Sequence, residues 1–232
     1  MNRASLLCVL VLAACSPQSG DKVGENAGRT GQGAVSAPAA EPIKPAPTAA
    51  PAGVYALDLT HTSLTFKVDH VGLSRYTARF TKLDGKLKFD PADPTASSVV
   101  VNIDPGSLRT DNPETSYDFD AQISGPEFLD AGKFPRLTFR STKVEMTGPS
   151  SARVTGDLTF HGVTRPVVLE TTFNGGYPLG AMDPKAARIG FSAHGSLKRS
   201  EFGVGYGLPP PGTKMGVGDD VEILIETEFT QP

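Results

Sequence analysis

From Val54 to the C-terminus, apolar and polar residues alternate with a period of two, the pattern of strands that bury one face and wet the other. Leu64, Phe66 and Val68 alternate with Thr65, Lys67 and Asp69, and Val99, Val101 and Ile103 repeat the beat. Val154, Leu158 and Phe160 share one face, followed by Val167, Leu169, Thr171 and Phe173. Val221, Ile223, Ile225 and Phe229 face away from Glu222, Glu226 and Glu228. His161-Gly162 separates two such runs, where a glycine supplies the positive φ of a tight hairpin. The runs 77–89 and 138–147 are predicted as long strands.

One helix interrupts the pattern. Asn112-Pro113-Glu114 offers a cap and a proline suited to the first helical position, which predicts a helix running to about Ser124. A short turn over Pro126 to Asp130 then returns Phe128 and Leu129 to the sheet. Seven to nine strands with one helical excursion predict an all-β fold, an antiparallel barrel of about eight strands with one short helical insertion. An immunoglobulin-like sandwich fits a similar strand count. The long runs and the absence of tryptophan favour the barrel, which also removes exposed edges.

Residues 15–53 are rich in Ala, Pro, Gly, Ser and Gln, and such a segment buries too little apolar surface to offset its ordering entropy. It reads as a tether with an end-to-end distance of roughly 35 Å. Before it, Arg3 and an apolar run from Leu6 make a secretory signal over 1–14, shorter than the about 20 residues a bilayer span needs. Leu12-Ala13-Ala14-Cys15 resembles the lipobox of bacterial lipoproteins, so Cys15 is expected to carry lipid and to attach the chain to a membrane. Ser16 in place of aspartate points to the outer membrane of a Gram-negative bacterium, with the folded part in the periplasm. Cys8, the other cysteine, lies in the signal, so the mature chain has no internal disulfide and relies on a core that about 180 residues suffice to build. A net charge of -3 without a basic run excludes a nucleic-acid footprint.

Four ordered blocks between Tyr55 and about Phe229 resemble the YceI-like family. The first is Tyr55-Ala56-Leu57-Asp58 with His61-Thr62-Ser63, then Phe66-Lys67-Val68-Asp69-His70-Val71-Gly72, Gly85 and Phe89-Asp90-Pro91. The second joins Ser107-Leu108-Arg109-Thr110, Phe128-Leu129-Asp130, Phe134-Pro135 and Phe139-Arg140-Ser141. The third runs from Gly156 to Val167 through Phe160-His161-Gly162. The fourth is Lys198-Arg199-Ser200-Glu201-Phe202-Gly203 followed by Val217-Gly218-Asp219-Asp220-Val221. Where many relatives carry a histidine in an Asp-x-His-Leu stretch, this chain has Asp120-Ala121-Gln122-Ile123.

The resemblance implies a secreted, lipocalin-like barrel that binds a polyisoprenoid or other long-chain lipid: an isoprenoid quinone, a polyprenyl lipid or an acyl lipid. On that reading His70, Tyr76 and Arg199 meet the head group, and Phe66, Val68, Phe128, Phe134, Phe139, Phe160, Phe191 and Phe202 line the tail. Each phenylalanine also has an ordinary role in core packing, and Arg199 equally suits an ion pair across the sheet. No cofactor is required, and a homodimer is left open. The competing reading is an envelope interaction or stress-associated module with a packed barrel, whose partners bind its outer face or the loop from Gly205 to Gly218. No catalytic or metal-ligating residues are assigned. Gly190-Phe191-Ser192-Ala193-His194 lacks the second glycine and the strand-turn-helix setting of a nucleophile elbow. The four histidines are scattered, with no cysteine to join them.

Overall fold

In the computed structural model, which describes residues 41–232, the chain forms ten strands and one helix. The expected signal peptide, Cys15 and the tether as far as residue 40 lie outside the described residues. The strands are β1 (Gly53–His70), β2 (Ser74–Phe80), β3 (Leu83–Phe89), β4 (Ser98–Ile103) and β5 (Leu108–Arg109). After the helix α1 (Phe119–Ser124) come β6 (Leu137–Gly148), β7 (Ser151–Phe160), β8 (Val163–Tyr177), β9 (Ala187–Lys198) and β10 (Val217–Gln231).

Eight of them, β1, β3, β4, β6, β7, β8, β9 and β10, pair in that order, and β10 returns to β1. Every pairing is antiparallel, for example Phe66↔Ile223 at the closure. The expected barrel therefore forms and the sandwich does not, because the sheet joins its own edge.

The remaining strands are continuations. β2 lies beside the second half of β1 and β3 beside its first half, so the run expected as one strand over 77–89 is a strand bent at Thr81-Lys82. Ser107 makes the bend: its buried hydroxyl accepts from the amides of Thr81 at 3.2 Å and Lys82 at 2.9 Å, which have left the ladder. β4 and β5 bend at the same level through the 3-10 turn Pro105–Ser107.

The helix is shorter than the sequence predicts. Asn112 accepts from the amide of Glu114, and Glu114 from that of Ser116, so local turns consume the donors that a helix would have organised. Asp118 is the real cap, accepting from Ala121 N at 2.9 Å. The turn after α1 forms as expected and buries Leu129.

At one end of the barrel, Tyr55, Phe89, Phe229 and Ile189 form an apolar plug with Ala50. The described end of the expected tether lies on this plug. Ala46 N donates to Pro149 O at 2.7 Å, and Ala50 is buried beside Gly176. Alanine and proline there gain contact with the barrel, a benefit that composition alone does not reveal. The opposite end carries the β1–β2 turn, the excursion 110–136 with α1, the His161-Gly162 hairpin and the loop 199–216. His161 and Gly162 have φ of 51° and 76°, so both residues of the hairpin are left-handed.

Candidate functional site

The interior of the barrel is hollow. A cavity of about 690 Å³ runs its length and is lined almost wholly by apolar side chains drawn from every strand of the ring. That volume lies within the about 300–1,000 Å³ range of small-molecule sites. Phe66, Val101, Val154 and Ile223 point inward yet remain partly accessible, because they face empty space and not other side chains. Buried side-chain polar atoms among the described residues all have partners.

Strand parity explains the lining. On β7 through β10 the inward positions keep one parity, as in Val167-Leu169-Thr171 and Val221-Ile223-Ile225. On β1 the parity switches from Leu57 to Leu64-Phe66-Val68 across the bulge between Asp58 and Ser63. The bend at Thr81-Lys82 does the same between Phe80 and Leu83.

Of the residues expected at the site, His70, Tyr76, Arg199, Phe66, Val68, Phe128, Phe139, Phe160 and Phe191 line the cavity. Two do not. Phe134 lies outside it against His161, with ring centroids 4.5 Å apart, and covers Gly162. Phe202, at 1 % exposure, packs on Phe160 from a 3-10 turn at the barrel's end and fills core space. Both sit in loops where strand parity does not assign a direction.

His70 and Tyr117 line the cavity and are also exposed, so the cavity reaches solvent at the end opposite the plug. Ser98, the other exposed lining residue, begins β4 opposite Lys88, toward the plug's end of the barrel. Thr110 and Asn112 add polar groups to the lining, and Thr110 is fixed by hydrogen bonds to Asp120. Tyr117, Phe119, Ile123 and Leu129 join the lining from the helical excursion, and Leu83, Leu87 and Phe89 join it from β3. The former set lies in a segment without periodicity. The latter was legible as strand but not as lining, because of the parity switch. At the Asp120-Ala121-Gln122-Ile123 departure, Gln122 is exposed and Ile123 reaches the cavity.

Arg199 is 5 % exposed and, among the described residues, is not paired across the sheet with a carboxylate. Its guanidinium donates to four backbone carbonyls: Gly218 from Nε, Val204 and Tyr206 from Nη1, and Val217 from Nη2. These bonds clasp the 199–218 excursion to the start of β10 and use four of five donors. Burial lowers its pKa from the ordinary arginine value, and the charge of Asp219 partly offsets this.

A second polar cluster lies outside the cavity. Arg188 donates to Asp58, to Glu228 at 2.7 Å and to Asp183 at 2.9 Å, while His61 Nδ1 lies 2.8 Å from Asp58. Asp58, His61 and Glu228 are close enough to share a cation, but the guanidinium already occupies the space between the two carboxylates. Burial pushes the Asp58 carboxyl up; hydrogen bonds from Thr60, Arg188 and His61 outweigh it and hold it well below the usual carboxylate range. These contacts pin β1, β9 and β10 together beside the bulge, and they read as structural.

The YceI-like domain model matches residues 55–229, which is the whole barrel. The chain belongs to the YceI-like family. A UPF0312 protein of Vibrio cholerae is 40% identical over 188 residues, covering 80% of this chain and 91% of its own. Among solved structures, Burkholderia cenocepacia BcnA superposes with a TM-score of 0.61 at 25% identity, covering 74% of this chain and 98% of its own. A polyisoprenoid binding domain from Saccharophagus degradans shares the fold, with a TM-score of 0.54, 14% identity and coverage of 77% and 98%. The YceI-like barrel thus extends from β1 to β10, with the cavity at its centre.

Proposed function

We propose that this YceI-like protein holds and carries an isoprenoid or other long-chain lipid in the barrel cavity, in the periplasm, on a membrane anchor at Cys15. The observation that carries the reading is the continuous apolar cavity, with His70, Tyr76, Asn112 and Arg199 among its lining at the open end. Side chains that line an empty cavity lose the dispersion contacts a filling would supply. Water entering it finds almost no hydrogen-bond partners, so an apolar guest is the natural filling. The shared fold with a polyisoprenoid binding domain supports the same class of guest.

Burial of a tail is worth about 0.8 kcal/mol per CH2 against water but close to nothing against a bilayer. The barrel is therefore suited to lipid exchange with membranes. Tyr76, His70 and Asn112 present hydrogen-bonding groups to a polar head at the mouth, and Arg199 contributes its charge together with its one remaining donor. The chemistry is binding, with no bond made or broken in the ligand. A packed interaction barrel is the weaker reading, because it calls for a filled interior.

Incubation of the protein with vesicles containing an isoprenoid quinone, followed by flotation, tests the reading. About one quinone per barrel should stay with the protein. A protein fraction free of quinone, and equally free of polyprenyl and acyl lipids, would refute it.

A further inference from the structure

At the open end two turns meet, Val71-Gly72-Leu73 and Lys214-Met215-Gly216. Val71 N donates to Gly216 O at 2.9 Å, and the Lys214 stem lies against Gly72. Leu73 is 87% exposed and Met215 73%, in a protein whose other apolar residues mostly line a core or a cavity. Both adjoin the mouth. Leu73 N donates to the carbonyl of cavity-lining His70 at 3.0 Å, and Met215 is two residues from cavity-lining Val217. Half-exposed Tyr206 packs on cavity-lining Phe128 with centroids 5.0 Å apart, and half-exposed Tyr117 lines the cavity itself.

We infer that this rim, led by Leu73 and Met215, inserts into the surface of a lipid bilayer, so that a lipid passes between membrane and cavity without crossing water. The inference rests on the carrier reading and names the partner that delivers the lipid. Leucine and methionine at turn tips flanked by tyrosines match the composition of side chains that seat in the membrane interface. The Lys214 stem runs along the same turn, and a lysine so placed can extend its ammonium to the head groups. A protein partner fits less well, since a specific interface covers about 800 Å² per side and these are separate protruding tips. Two cations on the neighbouring strands are paired, Arg75 with Glu222 and Lys198 with Asp220, both at 2.8 Å. Insertion of the apolar tips is the main attraction, so neutral phosphatidylcholine suffices.

Residues 41–232 hold the ten described strands in one compact unit and contain no cysteine, so single labels can be placed cleanly. A polarity-sensitive fluorophore on Leu73→Cys should shift to the blue on addition of phosphatidylcholine vesicles. The same label on Met182→Cys, equally exposed but in the loop at the plugged end, should not. Leu73→Ser combined with Met215→Ser should slow uptake of a quinone from vesicles about tenfold. The same variant should bind as much quinone as the parent when a cyclodextrin delivers it. No shift at position 73, a shift at 182 instead, a shift on raising protein concentration without vesicles (a second copy covering the rim), or unchanged uptake would overturn the docking. If the parent binds quinone from neither source, the carrier reading fails, while a vesicle-induced shift at 73 still reports docking.

Discussion

Val71 has φ of 49°, in the left-handed region that a β-branched side chain enters at a cost of about 1–2 kcal/mol. Asparagine tolerates that region, so Val71→Asn should raise the unfolding free energy by about 1 kcal/mol, read from the denaturant midpoint. Arg188 makes the opposite case. Its side chain is 17% exposed and faces three carboxylates, so Arg188→Met should cost about 3 kcal/mol at pH 7. The folded-state pKa of Asp58 is depressed, so its contribution is present above the unfolded value of about 4 and is lost as pH falls below it. Urea titrations should therefore show the penalty shrinking below about pH 4. A constant penalty across pH would remove the charge network as its cause. In the sequence Asp58 and His61 are only letters of a motif, since their partner Arg188 is distant in the chain and only the closed barrel brings it near.

The strands themselves were legible because period two survives in each segment. Their breaks were not: a bulge or bend changes which face a residue uses, and nothing in the run from Thr77 to Phe89 marks Thr81-Lys82 as a corner until Ser107 is placed beside it. The same reason separates the cavity residues found from those missed. Phe66 and Val68 follow strand parity, whereas Phe134 and Phe202 sit in loops and Tyr117 and Phe119 approach through the helical excursion. Glycine placement is a further element-level constraint. On β7, a Cβ at Gly156 would meet the Phe139 ring and lie 2.7 Å from the Arg140 carbonyl oxygen. Gly156→Ala should therefore cost about 2–3 kcal/mol in thermal or chemical unfolding, because Phe139 and the backbone must shift. A neutral substitution would mean that Phe139 has room to move further into the cavity.

For the whole molecule, the plug and the mouth occupy opposite ends, and the N-terminal strap from Ala46 to Ala50 packs at the plugged one. Narrowing the cavity tests the carrier reading at the scale of the fold. Ala193 and Val101 line it, and enlarging both to phenylalanine fills space without adding charge. The double variant should unfold no more easily than the parent, while lipid loading in the flotation assay falls to well below about half a molecule per barrel. Undiminished loading would place the lipid elsewhere on the protein. The central claim is that the cavity is occupied by a long apolar chain. Native mass spectra of the purified protein, recorded before and after denaturation, test it most directly. A noncovalent mass in the range of a quinone, polyprenyl or acyl lipid, released on unfolding, is the predicted result. A protein that is bare as isolated and stays bare after exposure to each of those lipids would contradict it.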